Sequence, residues 1–251
     1  MRRSVEDLRD FYGEPTGALV RRLLARRLED AWGEANGCDV LGLGYATPWL
    51  DLFVGARRQV AAMPGRQGVE TWPGVQRNRA ALVDETRLPF AAGAFDRILI
   101  VHALEEASDP DGLLLEAVRT LAPAGRLIVA AAARGGLWSR VESTPFGHGR
   151  PFTRRQLERL VRQAGLEPTA WSQTLYVPPW RPLLGWAEGF EQVGRRVIPG
   201  AAGVILLEAT RQAYARVRPG GAAETVRTPG VLAPQPAARQ HRALDAGPEA
   251  P

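Results

Sequence analysis

The chain has 251 residues, a formal net charge of +5 and 32 basic side chains, all of them arginine. The lack of lysine excludes a P-loop lysine, a Schiff base and a lysine general base. The single cysteine, Cys38, excludes an internal disulfide and a cysteine-rich zinc site.

No apolar run reaches the length of about 18 residues that a membrane span needs. The N-terminus becomes charged too soon for a signal-peptide core. The expectation is a cytoplasmic protein with no membrane span. Arginine pairs such as Arg21-Arg22, Arg26-Arg27 and Arg195-Arg196 fall on amphipathic segments. They read as solvated helix faces, which argues against nucleic acid as a partner.

In chain order, Ser4 to Phe11 reads as a short helix opened by a Ser4/Asp7 capping box. Thr16 to Trp32 reads as a longer helix with Leu19, Leu23, Leu24 and Leu28 on one face. Val40 to Leu43 is a buried strand that stops at Gly44, and Thr47-Pro48 is the N-cap and first position of a helix reaching about Val54. Gln59 to Met63 and Ala81 to Val83 are short strands, separated by an irregular stretch. Phe95 to Val101 is a fourth strand, Asp109 to Leu121 a helix, and Arg126 to Ala133 a fifth strand, almost wholly apolar.

A long loop from Arg134 to Pro151 leads to a helix capped by Thr153 and ended by Gly165. Pro168 to Val177 is strand-like, Leu184 to Val197 helical, and Gly203 to Thr210 a last strand. Strands alternating with helices predict a three-layer αβα fold around a mostly parallel sheet. From about residue 218 proline, glycine, alanine and arginine dominate without apolar period, so 218–251 is expected to be a disordered tail.

The strand–Gly–helix stretch from Cys38 to Leu50 is the natural ligand crevice of such a sheet. Downstream stand, in order, Asp84, Leu88-Pro89-Phe90, Phe95-Asp96, His102-Ala103-Leu104-Glu105 and Pro123-Ala124-Gly125-Arg126-Leu127. This order resembles the class I S-adenosylmethionine-dependent methyltransferases, type 11 branch, over about residues 35–133. The resemblance implies a Rossmann-like seven-stranded sheet with the last strand antiparallel. It also implies S-adenosylmethionine as cofactor, and a catalytic domain at 38–217 with the helices of 1–37 as a cofactor lid. Two family features are missing. Gly42 stands where the first-strand carboxylate is usual, and the second strand ends in Met63-Pro64 instead of the acid that holds the ribose.

On that resemblance the cofactor-binding candidates are Gly42, Gly44, Tyr45, Met63, Asp84 and Glu85. Asp84 is an acceptor suited to the adenine amino group. His102, ending the fourth strand, is the candidate catalytic base, with Glu105 and Glu106 next. Tyr12 is a candidate lid contact, and His148 lies on the loop where substrates often enter. The three histidines are too dispersed for a metal site. Methyl transfer from a sulfonium needs alignment more than acid–base help, so the residues leave the acceptor unnamed beyond a small molecule. The missing acids keep a second expectation open, a catalytically inactive binding module on the same fold. A nicotinamide dehydrogenase fits less well, because the third glycine of its motif is absent.

Overall fold

The computed structural model describes residues 2–74 and 77–211; the predicted tail at 218–251 lies outside them. Two helices come first, α1 (Val5–Gly13) and α2 (Pro15–Trp32). They are followed by β1 (Asp39–Gly44), α3 (Thr47–Leu50), β2 (Arg58–Pro64), β3 (Ala80–Val83) and β4 (Phe95–Val101). The second half holds α4 (Pro110–Thr120), β5 (Leu121–Ala132), α5 (Arg154–Gln163), β6 (Leu166–Thr174), α6 (Ala187–Val197) and β7 (Val204–Arg211).

The seven strands form one sheet in the order β3-β2-β1-β4-β5-β7-β6. β1 to β5 run parallel, and β7 is antiparallel to both of its neighbours, as the resemblance implies. The order reverses between β1 and β4, which puts the crevice at their carboxyl ends.

Alternation along each central strand sorts the core into two layers. Val40, Leu99, Val101, Ile128, Ala130, Val204 and Leu206 face α1, α2, α3 and α6. Leu41, Leu43, Ile98, Ile100, Leu127, Val129, Ile205 and Leu207 face α4 and α5. Both faces are covered, so these strands read as continuous apolar runs.

The caps follow local chemistry. Ser4 and Asp7 bond each other's backbone N–H in a capping box, and Thr153 with Gln156 does the same for α5. Asp109 caps α4 by accepting from the Gly112 N–H. Thr47 does not cap α3. It is the first helical residue after Ala46, and its hydroxyl donates to Glu70 Oε1 at 2.7 Å. The helix is also a single turn and stops well short of Val54. Phe53 and Leu50 instead turn their carbonyls to Gln59 Nε2, which caps the frayed end.

Candidate functional site

The crevice is built from the carboxyl ends of β1, β2, β3 and β4, and α1 lies across it. Gly44 turns the chain out of β1 with φ +87°, a conformation open to glycine at little cost. A Cβ there would stand 2.2 Å from the Val101 carbonyl oxygen and 2.7 Å from Ala103 Cβ. A Cβ on Gly42 would meet Ala46 at 2.8 Å and Leu50 at 3.0 Å. Both glycines are therefore required by the packing of β1 against α3 and the end of β4. The Tyr45 N–H donates to the Val101 carbonyl at 2.8 Å.

Four aromatic rings close the mouth over Gly44. Tyr12, from α1, stacks on Tyr45 with centroids 5.7 Å apart and meets Trp49 edge-on at 5.2 Å. Its hydroxyl lies 2.6 Å from His102 Nε2. Phe146, from the loop after β5, covers the other side of His102 at 4.9 Å. His102 itself sits at φ +50°, in the left-handed region, where a non-glycine residue stores strain. Its carbonyl accepts from Gln67 Nε2 at 3.1 Å. Burial drives the imidazole down to about 3, so it is neutral, and burial together with the Tyr45 and Glu105 charges raises the Tyr12 phenol.

Glu105 lies three residues after His102 in the same loop. One carboxylate oxygen accepts the Ala132 N–H at 2.9 Å, and the other is buried without a partner. Desolvation pushes its carboxyl up to about 7 against the hydrogen bond from Ala132.

The segment ahead of α1 ties across the crevice. The Arg2 guanidinium pairs with Glu85 and donates to the Ala103 carbonyl at 2.8 Å. The Arg3 N–H donates to Glu106, and its guanidinium donates to the Glu142 carbonyl at 2.7 Å and lies 2.5 Å from His148 Nε2. Val5 N–H donates to the Gln67 carbonyl at 2.7 Å. Among the described residues, the buried side-chain polar atoms left without a partner are Arg2 Nε, Arg3 Nε, Gln67 Oε1 and Glu105 Oε2. All four belong to this strap or to the crevice floor beneath it, where polar atoms lacking protein partners mark a place for solvent or ligand.

A cavity of about 550 Å³ remains beside the strap, at the ends of β2 and β3. Asp84 and Glu85 line it, with Arg2, Pro64, Leu82 and Ser108. Asp84 is exposed; its Oδ1 accepts from the Thr86 N–H and hydroxyl, which lowers its carboxyl. Thus, of the six sequence-derived cofactor candidates, Asp84 and Glu85 wall the cavity. Tyr45 lies against Tyr12 of α1, Gly44 against the end of β4, Gly42 against α3, and Met63 is wholly buried in the core. Arg2 and Gln67 had no signal in the sequence, because each is defined by partners remote from it in the chain. A second opening of about 400 Å³ lies on the far side of the strap, between Arg3, Phe11, Thr144 and Pro179.

A family profile described as a methyltransferase domain matches residues 16–170, more than half of the chain. The chain is similar to the demethylmenaquinone methyltransferase of Thermus thermophilus, 36% identical over 95 residues; the match spans 38% of this chain and 37% of that protein. It is 29% identical over 204 residues to the demethylmenaquinone methyltransferase of Tropheryma whipplei, covering 75% of this chain and 83% of the relative. Among solved structures it shares its fold with Burkholderia thailandensis 1,6-didemethyltoxoflavin-N1-methyltransferase, solved with 1,6-didemethyltoxoflavin and S-adenosylhomocysteine bound. The TM-score is 0.52 at 18% identity, over 82% of this chain and 83% of that one.

Proposed function

The chain belongs to the class I S-adenosylmethionine-dependent methyltransferases, and from that premise we propose that it methylates a small aromatic acceptor beneath the helix that covers its crevice. The observation that carries this reading is the 550 Å³ cavity walled by Asp84 and Glu85, next to a strap whose buried polar atoms lack partners. Its volume falls within the range of about 300–1,000 Å³ typical of small-ligand sites.

The donor and acceptor set fits the cofactor. Asp84 and Glu85 offer acceptors for an amino group and for ribose hydroxyls, replacing the acid that β2 lacks. Gln67 Oε1 is a free buried acceptor for an ammonium group. When bound, S-adenosylmethionine supplies a methyl group already activated by its sulfonium.

The chain's own work is then positioning, exclusion of water and proton management. Helices α1 and α2 act as the lid: Arg2 must leave Glu85 and Tyr12 must lift from Tyr45 for the crevice over Gly44 to open. Closing again, α1 seals the site. Tyr45, Trp49 and Phe146 offer flat, largely apolar faces suited to an aromatic acceptor. His102, neutral and weakly basic, serves as a hydrogen-bond acceptor. Glu105, whose carboxyl titrates near neutrality, is better matched to take a proton from an acceptor hydroxyl. The Thermus and Tropheryma relatives are named for demethylmenaquinone, so a quinol ring is the first acceptor to try.

Calorimetry with S-adenosylmethionine and S-adenosylhomocysteine, followed by labelled-methyl transfer to quinols and phenols, tests the reading. Binding of both ligands and transfer to at least one ring are expected. No heat at millimolar ligand would overturn it.

A further inference from the structure

Trp186, Phe190, Val193 and Val197 recur at steps of four, three and four residues at the start of and along α6. That spacing puts them on one flank of a helix. The inner side of α6 carries Ala187 and Glu191, both buried. Glu191 anchors the helix by accepting from Thr174 Oγ1 at 2.9 Å and from the Tyr176 N–H at 2.8 Å.

Three of the four are turned outward, with Trp186 73% exposed, Val193 59% and Val197 68%, while Phe190 is half-buried against the core. Trp180 and Ile198, at the two ends of the segment, are also more than half exposed. Elsewhere the exposed large apolar side chains, such as Val54, Leu115 and Leu137, are scattered over separate elements. A contiguous apolar patch of this kind marks an interaction surface.

Charge decides what it meets. Arg195 and Arg196 are exposed in the last turn of α6. The helix's two carboxylates are engaged with α2 instead: Glu188 pairs with Arg26, and Glu191 lies 3.6 Å from Arg27. The outer face is therefore apolar with Arg196 at its end, while Arg195, four residues after Glu191, lies on the other flank and donates to the Glu191 carbonyl at 3.2 Å. A second copy docked face to face would set arginines near arginines, which is unfavourable. An anionic bilayer surface complements both features, and tryptophan settles at its interface. Pro179 and Arg181, which flank Trp180, also wall the 400 Å³ opening beside α1.

We propose that the segment from Trp180 to Ile198 is a docking face for an anionic lipid bilayer, with Trp180, Trp186, Val193 and Val197 entering the headgroup layer and Arg196 meeting the lipid charges. The face lies flat on the surface; no helix among the described residues is long and apolar enough to cross it.

Flotation of the full chain with phosphatidylcholine vesicles, with and without phosphatidylglycerol at about one-third of the lipid, tests this. Binding to the anionic vesicles that weakens with salt is expected, with little on the neutral ones. W186E/V193E should lose it at least about tenfold. R196Q should weaken it by roughly fivefold. Circular dichroism and melting of both variants should match the parent, because all three side chains are solvent-facing. The proposal is overturned by no anionic preference, or by W186E/V193E binding like the parent, which would place the contact elsewhere. It is equally overturned by a doubled mass in light scattering that W186E/V193E reverts, which would give the face to a second copy. Methyl transfer to a soluble acceptor is scored separately, so a failure here and a failure of the catalytic reading are told apart.

Discussion

Tyr12 and His102 stand 90 positions apart, and the phenol of the first meets Nε2 of the second at 2.6 Å in a buried setting. The pair fastens α1 to the end of β4. Burial keeps the imidazole of this pair neutral. Removing the hydroxyl with Tyr12→Phe leaves a buried nitrogen without its partner. We expect a loss of about 1–3 kcal/mol by denaturant unfolding. A loss below about 0.5 kcal/mol would mean that the bond does not hold α1 in place.

The same site makes stability depend on pH from both sides. His102 is at about 3 folded against an ordinary 6.5. Below 6.5 the unfolded chain therefore takes a proton that the folded chain refuses, and stability falls as pH drops toward 3. Glu105 is at about 7 folded against 4.5. Above 4.5 the unfolded chain releases a proton that the folded chain keeps, and stability falls as pH rises through 7. Glu105→Gln removes the second slope. The variant should exceed the parent near pH 8 by an amount on the order of 3 kcal/mol, and the gap should close toward pH 4.5. A constant gap across that window would assign Glu105 a purely structural role.

Arg2→Met tests the strap. The Arg2–Glu85 pair is nearly buried, but Glu85 borders a cavity that water can enter. The stability cost should therefore be about 1–2 kcal/mol, less than the 3–5 kcal/mol of a sealed pair. Cofactor affinity should rise severalfold, because the closed state that competes with binding is weakened. Weaker binding in calorimetry would instead make Arg2 a ligand contact.

Asp84→Asn keeps an oxygen for the Thr86 N–H and hydroxyl, so the local turn should survive. S-adenosylmethionine affinity should fall roughly tenfold, with the melting temperature unchanged. Unchanged affinity would remove Asp84 from the cofactor site.

Gly44→Ala should act the opposite way. A Cβ at a φ of +87° and its 2.2 Å approach to the Val101 carbonyl predict a stability loss of roughly 2–4 kcal/mol. A variant that kept its stability while losing only cofactor affinity would return Gly44 to the ligand's list of contacts.

Much of the fold was legible because its signals are local. The apolar run of β5, the Asp109 cap and the Ser4 and Thr153 capping boxes each need only a few neighbouring residues. The order of motifs from Asp84 to Leu127 carried the sheet and its antiparallel strand. The closed crevice was not legible. It depends on Arg2 reaching Glu85 across 83 positions and on Tyr12 reaching His102 across 90, and no window of sequence contains either pair. Nor does Gly-x-Gly reveal whether a glycine yields space to a ligand or to a neighbouring strand; here the nearest atoms are Val101, Ala103, Ala46 and Leu50. The helical spacing of Trp186 to Val197 was readable, but its outward orientation depends on Glu191 gripping β6.

The strap has a practical bearing on any experiment with this protein. Whatever is joined ahead of Arg2, whether an affinity tag or a protease-site remnant, emerges within a residue or two of Glu85 and the Ala103 carbonyl. Such a fusion would compete for the crevice it is meant to report on. Two laboratories using opposite tag positions would then measure different affinities on the same enzyme.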